Sequence, residues 1–131
     1  MSAQPSEPIR VLLVDDHQLF VEGLTAVLAD DGRFDVVGTA TTGRDAVRLA
    51  RETPADVVLM DMSMPGLDGV AATRRLLEAA PSLRVIALSG HTDRLSRAAA
   101  LESGAAEFVS KSDSLESLAE TIVSVCTLTS S

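Results

Sequence analysis

The chain is 131 residues long and 46% hydrophobic, enough for one domain that hides about two-thirds of its unfolded surface. Nineteen acidic residues against eleven basic ones give a formal net charge of −8, which excludes this segment as one that itself grips nucleic acid or an anionic membrane. The single cysteine, Cys126, excludes an internal disulfide and a cysteine metal site, and a reducing cytoplasm is the simplest compartment.

Residues 1–8 are polar, carry two prolines, and lack the basic start and apolar middle of a secretion signal, so a disordered lead-in is expected. No apolar run approaches the length needed to cross a bilayer. With 2% aromatic residues and neither Trp nor Tyr, the core falls to Val, Leu, Ala, Ile and Met. The predicted domain runs over 9–126. Residues 127–131 are polar and read as a tail or the start of a linker to a further domain.

Ile9 to Val14 is the first apolar run, ending in Asp15-Asp16. From His17 the period changes, with Phe20, Leu24, Val27 and Leu28 at helical spacing and Asp31-Gly32 closing the segment. Here His17 only starts a helix and is assigned no chemistry. Phe34 to Ala40 is the second strand, and Gly43 to Arg51 a helix stopped before Pro54. Val57 to Met60 is bare of polar residues, ends in Asp61, and is followed by Pro65-Gly66, which predicts a strand buried on both faces.

Asp68 is placed to cap the third helix, and Pro81 lies just beyond its end. Arg84 to Leu88 is the fourth strand, leading into Ser89-Gly90, and Arg94 to Glu102 an Ala-rich helix stopped by Ser103-Gly104. Glu107 to Ser110 is a short fifth strand before Lys111, and Asp113 with Glu116 predicts a capping box for the last helix. Five strands alternating with five helices call for a parallel sheet with right-handed crossovers and helices on both faces.

In such sheets the binding crevice lies beyond the carboxyl ends of the strands, where Asp15, Asp16, Asp61, Ser89 and Lys111 all fall. Taken singly, the acids would only cap a helix or end a strand, and the lysine would only be solvated; their joint placement points to chemistry. Two carboxylates about 5 Å apart repel by roughly 3 kcal/mol at an effective dielectric near 20, so a cluster of three takes up protons or recruits a cation. Carboxylate, carbonyl and water oxygens suit Mg²⁺, which prefers to share its shell with phosphate. Lys111, the sole lysine, supplies a point charge for a phosphoryl oxygen, and Ser89 a hydroxyl on the same rim. The set amounts to a phosphoryl-transfer site with Asp61 as nucleophile.

Over about Ile9 to Val125 the chain resembles the receiver domain of two-component response regulators. The matches are Val14-Asp15-Asp16-His17, Asp61-Met62-Ser63-Met64-Pro65-Gly66, Asp68-Gly69, Leu88-Ser89-Gly90 and Lys111. Asp15-Asp16-His17-Gln18-Leu19 with Gly23-Leu24 is similar to the NarL/FixJ-type subfamily, in which a LuxR-type helix-turn-helix follows the receiver. The resemblance implies a flavodoxin-like (βα)5 α/β fold in strand order 2-1-3-4-5, an order for which a family member is a standard example.

It further implies that Asp61 accepts a phosphoryl group from a histidine kinase. Asp16 and Asp61 would hold Mg²⁺ with the Ser63 carbonyl, and Asp15 would act mainly through water. Ser89 and Lys111 would bind the phosphoryl oxygens, and Phe108, where some members have tyrosine, would turn inward as Ser89 moves. Many members place proline after the lysine; Ser112 stands there here. Ser63 and His91 are expected to flank the attacking water and set the phosphoryl lifetime. The expected output is a non-enzymatic switch: a homodimer when phosphorylated, with DNA bound through a helix-turn-helix domain outside this chain. A stand-alone receiver acting by protein contact or phosphorelay is the alternative. A Mg²⁺-dependent aspartyl phosphatase would need a second aspartate two residues after Asp61, where Ser63 stands.

Overall fold

A computed structural model describes residues 7–64, 68–90 and 94–128. The expectations resting on residues 1–6, on Pro65-Gly66 and on His91 lie outside the described residues. The elements run β1 (Ile9–Val14), α1 (Gln18–Asp31), β2 (Phe34–Ala40), α2 (Gly43–Glu52), β3 (Val57–Asp61), α3 (Gly69–Ala79), β4 (Arg84–Ser89), α4 (Arg94–Glu102), β5 (Glu107–Ser110) and α5 (Leu115–Leu128). All strands pair in parallel in the order β2-β1-β3-β4-β5, the flavodoxin-like arrangement the resemblance implies.

Alternation along each strand divides the core into two layers. Leu12, Val14, Val58, Met60, Val85, Ala87 and Phe108 pack against Ala46 of α2, Ala72 and Leu76 of α3 and Ala100 of α4. Val11, Leu13, Val57, Leu59, Ile86, Leu88 and Val109 face Leu24 and Leu28 of α1 and Leu118, Ala119, Ile122 and Val125 of α5. β3 lies at the centre and every one of its residues is buried, as its unbroken apolar run requires. Leu24 and Leu28 are wholly buried, each contributing about 1.5–3 kcal/mol.

The helix ends follow local chemistry. α1 stops at Gly32, whose φ of +86° is the left-handed conformation that glycine adopts without penalty. The Thr42 side chain accepts from the Asp45 N–H to start α2, and Asp68 accepts from Val70 and Ala71 to start α3. α5 departs from the predicted Asp113–Glu116 box. Ser114, directly before Leu115, places its Oγ 3.0 Å from the Ser117 N–H, while the Asp113 N–H is spent on the Ser110 carbonyl. Among the described residues no helix is long and apolar enough to cross a membrane.

Register brings the strand ends together. Val14 pairs with Met60, Asp61 with Leu88, and Ser89 with Ser110. One further step along each strand puts Asp15, Asp61, Ser89 and Lys111 on one rim. The ladder carries past the strands there, through Asp15 N–H to the Ala40 carbonyl, Met62 N–H to Leu88 and Lys111 N–H to Ser89.

Candidate metal centre

Asp15 and Asp61 are 4% and 0% exposed, a burial carboxylates seldom tolerate without partners. Asp15 has them. Its Oδ2 accepts from Lys111 Nζ at 2.6 Å, and its Oδ1 accepts from the His17 N–H at 2.8 Å. Burial alone would lift the Asp15 carboxyl; the hydrogen bond from Lys111 and those from His17 outweigh it and hold the group below the usual carboxylate range.

Asp61 is less well served. Its Oδ1 accepts from the Ser63 N–H at 2.9 Å, but its buried Oδ2 has no hydrogen-bond partner, with Lys111 Nζ 3.5 Å away. Burial pushes the Asp61 carboxyl above the usual range; the Ser63 N–H opposes that shift and the neighbouring Asp15 charge adds to it. Asp16 stands at the exposed edge. Three carboxylates against one ammonium leave the pocket short of positive charge, and the orphaned Asp61 oxygen points to where that charge is missing. The residues fit a divalent cation: ligand atoms of Asp15, Asp16, His17 and Asp61 all lie within 4.8 Å of one another.

The sequence-predicted residues converge unevenly. Asp15, Asp16, Asp61 and Lys111 meet in one cluster. Ser89 is buried at the end of β4, and Ser63 enters through its backbone N–H. Phe108 is buried in the layer of Ala87, Ala100 and Ala105. Ser112 closes the turn after β5 through its hydroxyl, 2.6 Å from that of Ser110.

Two residues were missed by sequence reasoning. His17, given only a helix start, turns its ring into the cluster: Nδ1 is 2.9 Å from Asp15 Oδ1, 3.4 Å from Asp61 Oδ2 and 3.5 Å from Asp16 Oδ1. Its place straight after two strand-end acids was the available signal. Phe20, read only as an apolar residue at helical spacing in α1, lies under Lys111, with Nζ 4.5 Å from the ring centroid. No spacing rule marks that contact.

Comparison with known proteins shows the family and the fold. The family model "Response regulator receiver domain" matches residues 11–123. The response regulator UvrY of Escherichia coli is 42% identical over 117 residues, which is 89% of this chain and 54% of UvrY. The chain thus spans about half the length of the curated relatives it matches. Among solved structures, the signal receiver domain of the putative response regulator NarL from Mycobacterium tuberculosis superposes with a TM-score of 0.86 at 32% identity, covering 92% of this chain and 98% of that one. A structure described as the CheX-CheY-BeF3-Mg complex from Borrelia burgdorferi superposes with a TM-score of 0.81 at 28% identity, covering 90% and 89%.

Proposed function

This chain belongs to the response regulator receiver domain family, of the NarL/FixJ type, and from that premise we propose that Asp61 is its phosphoacceptor. The observation that carries the reading is the buried, unpartnered Oδ2 of Asp61, facing the ammonium of Lys111. Asp15, Asp16 and Asp61, with the Ser63 carbonyl, would hold Mg²⁺, which when bound neutralises the carboxylates and the phosphoryl oxygens together. The CheY complex that this fold resembles is described with both Mg²⁺ and a fluoroberyllate.

The transfer needs little from the protein beyond position and charge. A carboxylate oxygen of Asp61 attacks the phosphorus of a phosphohistidine on the kinase. The P–O bond forms as the N–P bond breaks, and the electron pair returns to the donor imidazole. Lys111, now held by Asp15, swings the short distance to a phosphoryl oxygen, and the Ser89 hydroxyl meets another.

Those movements carry the signal. Of the side chains described in α4, over residues 97–102, only Ala100 is buried. Over residues 97–102 that leaves one buried methyl, worth about 0.8 kcal/mol, so a shift of a few kcal/mol at Ser89 and Lys111 re-weights the position of this part of the helix. Phe108 packs in the same layer as Ala100 and follows. The readout is a homodimer and, in the longer protein that the relatives suggest, a DNA-binding helix-turn-helix domain controlling transcription in the cytoplasm. The chain works as a switch and not as an enzyme.

Beryllofluoride with Mg²⁺ tests this. Amide resonances of β4, α4 and β5 should move in the parent chain and stay still in Asp61→Asn; equal movement in both, or none in the parent, contradicts the assignment.

A further inference from the structure

We propose that His17 is a further ligand of the acidic pocket, and that its imidazole extends the site from Mg²⁺ to the borderline late first-row cations, Ni²⁺ and Zn²⁺. The inference rests on the receiver reading for the pocket but concerns a residue that reading does not use.

The distances carry it. Two ligands each about 2.1 Å from one ion stand about 3.0 Å apart along an octahedral edge and about 3.4 Å along a tetrahedral one. His17 Nδ1 lies 2.9, 3.4 and 3.5 Å from oxygens of Asp15, Asp61 and Asp16, the spacing of groups that share one ion. Independently, Asp61 Oδ2 is fully buried, has no hydrogen-bond partner, and lies in the same cluster. Lys111 Nζ is 2.9 Å from Nδ1 and has only protons to give. Nδ1 is equally 2.9 Å from Asp15 Oδ1, and a cation entering among the carboxylates displaces both the lysine and the shared proton from that nitrogen.

The backbone supports the placement. His17 caps α1 in an extended conformation (φ −88°, ψ 95°), makes no side-chain cap bond, and is tied through its N–H to Asp15 Oδ1. The ring therefore sits over the acids instead of closing the helix. Imidazole binds Ni²⁺ and Zn²⁺ well and Mg²⁺ poorly, so the residue shifts selectivity between cation classes without being needed for Mg²⁺.

Calorimetric titration of the untagged chain with NiCl2 alone and with MgCl2 alone tests this. His91→Ala serves as the reference, because His17 is then the sole remaining imidazole. Adding His17→Ala should weaken Ni²⁺ at least about tenfold and change Mg²⁺ less than about threefold. Unchanged Ni²⁺ affinity, or equal loss for both ions, overturns the proposal. A second measurement needs no His17 variant: with Zn²⁺, the imidazole ¹⁵N shift of His17 should move at Nδ1, and movement at Nε2 or at neither nitrogen contradicts it. If the parent binds Mg²⁺ and takes a phosphoryl group while Ni²⁺ binding ignores His17, only the ligand assignment fails; if neither occurs, the receiver reading itself falls.

Discussion

The ammonium of Lys111 is held 2.6 Å from Asp15 Oδ2, nearer than its 3.5 Å approach to Asp61 Oδ2. The lysine thus neutralises the carboxylate that does not take the phosphoryl group and leaves the acceptor under-served. A buried pair broken on one side is costly, because the remaining charge stays behind. Lys111→Met should lose about 3 kcal/mol of unfolding free energy in chelator. Added Mg²⁺ should recover part of it, and urea titrations with and without the ion measure both.

Asp61 is the opposite case. Its folded carboxyl titrates above its unfolded value, so between the two the folded state binds more protons than the unfolded one. Stability therefore falls as pH rises through that window, and the charged group is a net cost at neutral pH. Asp61→Asn should raise stability at pH 7 in chelator by about 1–3 kcal/mol. The gain should shrink below about pH 4, where the parent carboxyl is protonated in both states, and also with Mg²⁺ at pH 7.

Asp15 sets the other pH limit. Its folded carboxyl titrates below its unfolded value, so its contribution is present above the unfolded value and is lost as pH falls through the folded one. In Asp15→Asn, acid unfolding should lose part of its pH dependence at the low end of the carboxylate range.

Gly104 combines two constraints. Its φ is +114°, and a Cβ there would lie 2.5 Å from Leu77 Cδ1. Gly104→Ala should cost about 1–3 kcal/mol, shown as a lower urea midpoint with an unchanged slope.

The exposure of α4 over residues 97–102, where only Ala100 is buried, has a dynamic consequence. Amides of α4 should exchange with solvent faster than those of α1, which buries Leu24 and Leu28, and hydrogen-exchange rates in the unmodified chain check this.

Strand positions were legible because apolar runs ending at acids and turn residues are properties of the chain alone. β2 and β5 begin and end where the pattern places them, and β3 extends to include Asp61. Convergence of Asp15, Asp61 and Lys111 followed once strand order was supplied by resemblance. Side-chain direction was not legible. The ring of His17 enters the pocket through the φ and ψ of one residue, and Phe20 meets Lys111 across 91 positions of sequence. The irregularity that pairs Leu12 with Gly38, skipping Val37, was equally hidden; a Cβ on Gly38 would stand 3.1 Å from Leu12 Cδ2.

The most direct measurement is intact mass after incubation with acetyl phosphate. The parent chain should gain the mass of one phosphoryl group with Mg²⁺ and none in chelator, and Asp61→Asn should gain none in either. A gain that persists in Asp61→Asn, or a parent that stays unmodified with Mg²⁺ present, would contradict the account.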